Sequence, residues 1–315
     1  MESGGARPSV WRLAVTGAAA MALANATLVH PFGGAILRVF APLPLLWLVA
    51  RGARRAAVVA AAGALAVPAA VGGPDAALAV AVPLVPLTGI LAFGLVGRWS
   101  VDRTTVGAVA GTILAGGLVL AARGVAPEEA ARAAAQALGE AVRSALTSGG
   151  AARPADPAVV AATFLRMLPA LLVVQTAAAA WLNLLGLRRI VGAGAPPLDD
   201  WSAWRTPEPL VFVLIAGGAA LLPGVPALTT VGLNLLAAVG FVYLLQGLAI
   251  IGFFFRARRV PLPLRVAGYA LIGPQVVLLA LVGVLGLADL WIDFRRRAGG
   301  GDRTPDDAET GGSER

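Results

Sequence analysis

Long apolar runs alternate along this chain with short clusters of arginine. The longest run, residues 226–255, reads PALTTVGLNLLAAVGFVYLLQGLAIIGFFF and carries no charge until Arg256, Arg258 and Arg259 close it. An α-helix rises 1.5 Å per residue, so this run exceeds the ~20 residues needed to cross a bilayer core. Similar apolar runs occupy 11–29, 34–50, 56–71, 76–96, 105–122, 159–187, 207–222 and 266–290. Nine spans with a cytoplasmic amino terminus place the arginine clusters at 51–55, 188–189 and 256–265 on the cytoplasmic side, as the positive-inside rule requires. The same count puts Arg295, Arg296 and Arg297 outside, which leaves eight spans open. The predicted fold is all-α: a polytopic helical membrane bundle of eight or nine transmembrane helices plus one amphipathic surface helix.

The breaks in the pattern divide the chain further. Residues 1–10 form a polar tail, 11–122 hold about five spans, 159–291 about four, and 292–315 a second polar tail. The first run, followed directly by more membrane sequence, reads as a retained span and not a signal peptide. Pro42, Pro44, Pro83 and Pro86 lie inside apolar runs and predict kinked or interrupted helices. Residues 123–158 differ from the rest. Glu128, Arg132, Gln136 and Glu140 recur every four residues beside an alanine-rich side, which predicts a surface helix over 127–146 at the membrane boundary. A linker, TSGGAARPADPA, follows it.

Composition removes the soluble alternative. The chain is 58% hydrophobic and 13% charged, against about 25% charged in ordinary soluble proteins. Its mean hydropathy is +0.81. All 25 basic residues are arginine, and the net charge is +8. Because the arginines lie between apolar runs, they serve orientation against anionic lipid and not nucleic-acid binding. The expected setting is the bacterial inner (cytoplasmic) membrane, crossed several times, with membrane lipids as the immediate partners. There is no cysteine, hence no disulfide or thiolate chemistry.

No HExxH, GxSxG, phosphate loop or dinucleotide fingerprint occurs, so no catalytic residue, metal or cofactor is expected. Asp199-Asp200 reads as a solvated loop pair and His30, beside Pro31, as an interfacial turn residue. Asp289, Asp293 and Arg297, four apart, predict a salt-bridged helix end. The candidate ligand-binding residues are the polar ones inside apolar runs: Arg166, Gln175, Asn234, Tyr243 and Gln246. For Arg166 the alternatives are a head that snorkels to the interface or a contact to an anion or substrate. For the other four they are hydrogen bonding between helices or the lining of a cavity. Tyr243, Gln246 and Gly247 fall on nearly one helical face, which should look into the bundle.

The stretches NLLAAVGFVYLLQGLAIIGFFF (234–255) and GVLGLADLWIDFRRR (283–297), with the Pro-Leu-Pro-Leu of 42–45, resemble the bacterial membrane family DUF2232, or YybS-like. That family is distantly similar to the S components of energy-coupling-factor transporters, small helical bundles that bind a vitamin or metal. The resemblance implies a cavity for a small solute and a separate coupling protein and ATPase, since this chain has no ATP-binding loop. Three function classes follow. They are a solute-binding or transport component, a non-catalytic scaffold or partner subunit of a cell-envelope membrane complex, and an intramembrane enzyme, for which no nucleophile, base or acid pair can be named.

Overall fold

Prolines and glycines mark several of the breaks between helices in this chain. A computed structural model describes residues 9–149, 157–191, 204–273 and 275–298, and among these every regular element is helical. In chain order they are α1 (Val10–Ala24), α2 (Ala26–Val29), α3 (Pro31–Arg38), α4 (Pro42–Ala50), α5 (Arg54–Val96), α6 (Val101–Ala122), α7 (Pro127–Gly149) and α8 (Pro157–Val191). They continue with α9 (Leu210–Ala219), α10 (Pro226–Ala257), α11 (Leu262–Ile272), α12 (Val276–Ile292) and α13 (Phe294–Ala298). The chain divides into two units, Met1–Asp199 and Asp200–Arg315.

The all-α expectation holds, but the count of eight or nine spans does not. Among the described residues five segments are long and apolar enough to cross a membrane: Gly33–Ala50, Arg54–Val96, Val101–Ala122, Leu165–Val191 and Pro226–Ala257. A sixth is possible only if Leu262–Ile272 and Val277–Ile292, bent by 106°, count as one broken span. The overestimate has local causes. The run at 11–29 yields only the 15-residue α1 before Asn25 ends it. The runs at 56–71 and 76–96 form two helical stretches that meet at a kink at Gly73 (φ 73°), and they count together as the one segment Arg54–Val96. The run at 207–222 gives only ten helical residues, because α9 starts at Leu210 and not at Pro207.

In the first unit the core forms where α1, α4, α5 and α8 meet. Leu46, Leu87, Leu91, Ala180, Leu184 and Leu187 make one buried cluster. Ala24, Ala41, Ala64, Val80 and Leu84 make another, drawing on α5 both before and after Gly73. Small residues set the spacing of α6 on α5. A Cβ at Gly94 would meet the Thr104 side chain, and one at Gly107 would lie 3.3 Å from Ile90. Helix α7 packs on α8 through its small side, with Ala135 and Gly139 buried, while Glu128, Arg132, Gln136 and Glu140 remain exposed. This is the amphipathic division that the four-residue recurrence predicts. His30 caps α3, its Nδ1 accepting from the Gly33 N–H at 2.9 Å, with Pro31 as the first helical residue.

Polar side chains in this unit take up the backbone groups that proline leaves behind. Proline has no N–H, so the carbonyl four residues before it loses its helical donor. Pro68 frees the Ala64 carbonyl, which accepts from Asn25 Nδ2 at 3.0 Å. Pro83 frees the Ala79 carbonyl, which accepts from an Arg38 guanidinium nitrogen at 2.6 Å. Asn183 Nδ2 donates at 2.8 Å to the carbonyl of Val39, at the break between α3 and α4. In lipid such groups have no water to turn to, which is why broken helices survive only with partners of this kind.

The second unit is built on the crossing of α10 and α12. A Cβ at Gly247 would overlap the Val282 carbonyl, and a Cβ at Gly286 would overlap the Tyr243 carbonyl, so glycine lets the two backbones touch. Helix α9 meets α10 in the same way at Gly217 and Gly232. Much of the outer surface is apolar: Phe212, Ile215, Val277, Leu281 and Val284 are exposed in this unit, as Val106, Leu114 and Leu118 are in the first. Contiguous apolar surface of this kind belongs against lipid.

Candidate functional site

The buried end of α10 and α12 holds a closed set of polar groups. Gln246 is 1% exposed. Its Oε1 accepts from the Thr206 N–H at 3.0 Å and its Nε2 donates to Asp289 Oδ2 at 3.1 Å. Asp289, 2% exposed, also accepts from Arg295 at 2.8 Å through Oδ2 and from the Phe294 N–H at 2.9 Å through Oδ1. Arg295 reaches on to the Trp204 carbonyl at 2.8 Å. The chain at 204–206 is thus held by the middle of α10 and the end of α12 at once. Thr206 enters this network through its backbone N–H.

Beside it, Asp293 ends α12 in a left-handed conformation at φ 46°, and both its oxygens accept from Arg205, at 2.8 and 3.0 Å. The Arg205 hydrogen bond holds the Asp293 carboxyl below the usual range. Burial opposes that, while the Arg296 N–H and the charges of Arg205 and Arg295 assist it. A salt-bridged helix end is therefore present, but Asp289 pairs with Arg295 and Asp293 with Arg205, not with Arg297 as the spacing alone indicates.

Tyr243, Gln246 and Gly247 are all buried, as one inward face requires. Gln246 is consumed by the network, whereas the Tyr243 hydroxyl is buried with no hydrogen-bond partner among the described residues. Asn234 is half-buried and donates to the Thr230 carbonyl of its own helix at 2.8 Å.

The first unit offers a different environment. A cavity of ≈ 170 Å³ is walled by Thr27, Ala35, Arg38, Val39, Pro42, Pro83, Leu84, Leu87, Gln175 and Ala179. Its wall takes in Val39 and Pro42, at the loss of helix between α3 and α4, Pro83 on α5, and Gln175 on α8. Of the five residues chosen from sequence, only Gln175 lines this cavity. Arg166 is exposed near the start of the span Leu165–Val191, away from the lining. Asn234, Tyr243 and Gln246 belong to the second unit. The five are therefore not brought into one site within either unit.

The family model described as "Predicted membrane protein (DUF2232)" matches residues 18–290, most of the chain. The chain belongs to the DUF2232 family. No curated protein and no solved structure is similar to it. In this DUF2232 protein the two stretches that carry the family resemblance, 234–255 and 283–297, are the ones the second unit's network joins, through Gln246 on one and Asp289 and Arg295 on the other. Among the described residues no three His, Asp or Glu side chains gather where a metal could be held. The Asp199-Asp200 pair lies outside the described residues.

Sequence reasoning missed Arg38 and Thr27 on the cavity wall and the Asp289–Arg295 pair. A signal for Arg38 was present: it is a charge inside the apolar run 34–50, and Pro83 announces a carbonyl in need of a donor.

Proposed function

We propose that this DUF2232 protein is a small-solute-binding or transport component of the bacterial cytoplasmic membrane, and that its solute occupies the cavity of the first unit. The observation that carries the reading is the cavity itself, with Arg38, Thr27 and Gln175 on a wall otherwise apolar. A few polar groups set in an apolar concavity, formed at interrupted helices, is the usual form of a solute site in a membrane bundle. The distant similarity of the family to S components agrees with it. Lacking a phosphate loop, the chain would depend on a coupling protein and an ATPase for energised transport.

A scaffold or partner subunit is the second reading, favoured by the second unit, where Gln246 and Asp289 spend their hydrogen bonds on the protein's own backbone and side chains. Mass spectrometry of small molecules retained by the protein in mild detergent separates the two. A retained metabolite that is lost on Gln175→Leu, with unfolding temperature unchanged, supports solute binding. Protein that retains nothing from its native membrane, under conditions where it stays folded, supports the scaffold.

A further inference from the structure

We propose that the first unit's cavity binds a small anion, a compact carboxylate or oxyanion, with Arg38 as its anchor. This rests on the solute-binding reading and names its ligand class. Arg38 lies inside the span Gly33–Ala50, where a guanidinium is expensive to keep without a counter-charge. Among the described residues no carboxylate pairs with it, and its one hydrogen bond goes to the Ala79 carbonyl.

Capping that carbonyl accounts for one of the five N–H donors of a guanidinium and for none of its charge. Asn25 meets the same need at Ala64 with a neutral amide. The positive charge of Arg38 is therefore surplus to the helix break it repairs, and the bond to Ala79 holds the group in place at the cavity wall. Thr27 and Gln175 share that wall, and neither side chain is hydrogen-bonded among the described residues. A guanidinium, a hydroxyl and an amide supply the donors an oxyanion needs.

Volume limits the size of the ligand. At ≈ 170 Å³ the cavity is close to the ~150 Å³ of an engineered cavity that accepts benzene, and below the ~300 Å³ at which drug-sized sites begin. A phosphate or an acid of a few carbons fits. Such an anion can come from solution or from a lipid headgroup, and the chemistry of recognition is the same.

The test uses the full chain in nanodiscs of zwitterionic lipid, titrated calorimetrically with acetate, phosphate and sulfate at fixed ionic strength. At least one should bind saturably. Arg38→Gln should weaken it about tenfold or more, while Arg103→Gln, an exposed arginine on Trp99, leaves it unchanged. Should Arg38→Gln fail to fold, Thr27→Val and Gln175→Leu leave the Ala79 cap intact and should each weaken binding several-fold. Exchange into phosphatidylglycerol discs identifies the source: Arg38-dependent loss of phosphate binding marks a headgroup, and no loss marks a soluble anion. Absence of saturable binding by all three anions in folded protein overturns the proposal, as does binding indifferent to all cavity variants. If glycerol or urea binds instead, sensitive to Gln175→Leu and not to Arg38→Gln, the anion assignment falls and the solute-binding reading stands.

Discussion

The polar network of the second unit and the cavity wall of the first handle polar groups inside apolar helices in opposite ways. In the second, Gln246, Asp289 and Arg295 turn toward one another and toward the backbone of 204–206, and both ends of the Gln246 amide are bonded. In the first, Arg38, Thr27 and Gln175 surround a cavity and retain donors that the protein does not use. A polar residue in a membrane span is thus no sign of a ligand by itself. What separates structure from site is whether its hydrogen-bonding capacity is already spent.

The sharpest way to break that contrast is at the buried ion pair. Asp289 and Arg295 side chains are 1% and 7% exposed, so removing one leaves the other's charge stranded. Asp289→Ala or Arg295→Ala should destabilise the protein by about 3–5 kcal/mol, measured by denaturant unfolding in micelles. The double replacement Asp289→Leu with Arg295→Met should recover part of that loss. A smaller effect is expected where the helices cross. Gly286→Ala drives a Cβ into the Tyr243 carbonyl and should cost about 1–3 kcal/mol. At Gly240 a Cβ would meet nothing within 4 Å, so alanine there should bring no loss or a gain of up to ~1 kcal/mol.

The smallest effect is in pH. The Asp293 carboxyl titrates lower in the folded protein than in the unfolded chain, chiefly through Arg205. Its contribution is therefore present above the ordinary carboxylate pKa of about 3.9 and is lost as pH falls from there through the lowered value. Unfolding followed across that range should show a steeper acid loss in the natural protein than in Arg205→Gln.

Much of the architecture was legible in the pattern of apolar runs, because membrane spans need length and hydrophobicity that a linear sequence displays directly. The inward face of α10 followed from Tyr243, Gln246 and Gly247 at helical spacing, and the surface helix from its four-residue charge repeat. The span count was not legible. Whether Gly72 and Gly73 separate two helices or bend one element, and whether α9 begins at Pro207 or Leu210, depends on local backbone angles that composition does not encode. The candidate site was legible only in part. Gln175 was visible as a polar residue in a span, but its cavity is made by residues far apart in the chain, Thr27, Pro42 and Pro83 among them. Arg38 and Ala79 meet across 41 positions, and only tertiary packing joins them.

Among the described residues Gln246 is hydrogen-bonded at both ends of its amide and the Gln175 side chain is not, although both are glutamines inside apolar helices. That division is tested most directly by the unfolding free energies of Gln246→Leu and Gln175→Leu, measured side by side in one detergent. Gln246→Leu leaves the Thr206 N–H and an oxygen of Asp289 short of a partner and should lose about 1–3 kcal/mol. Gln175→Leu should stay within about 0.5 kcal/mol of the natural protein. Equal losses in the two variants, or a larger loss at Gln175, would contradict the division between a structural network in one unit and a binding cavity in the other.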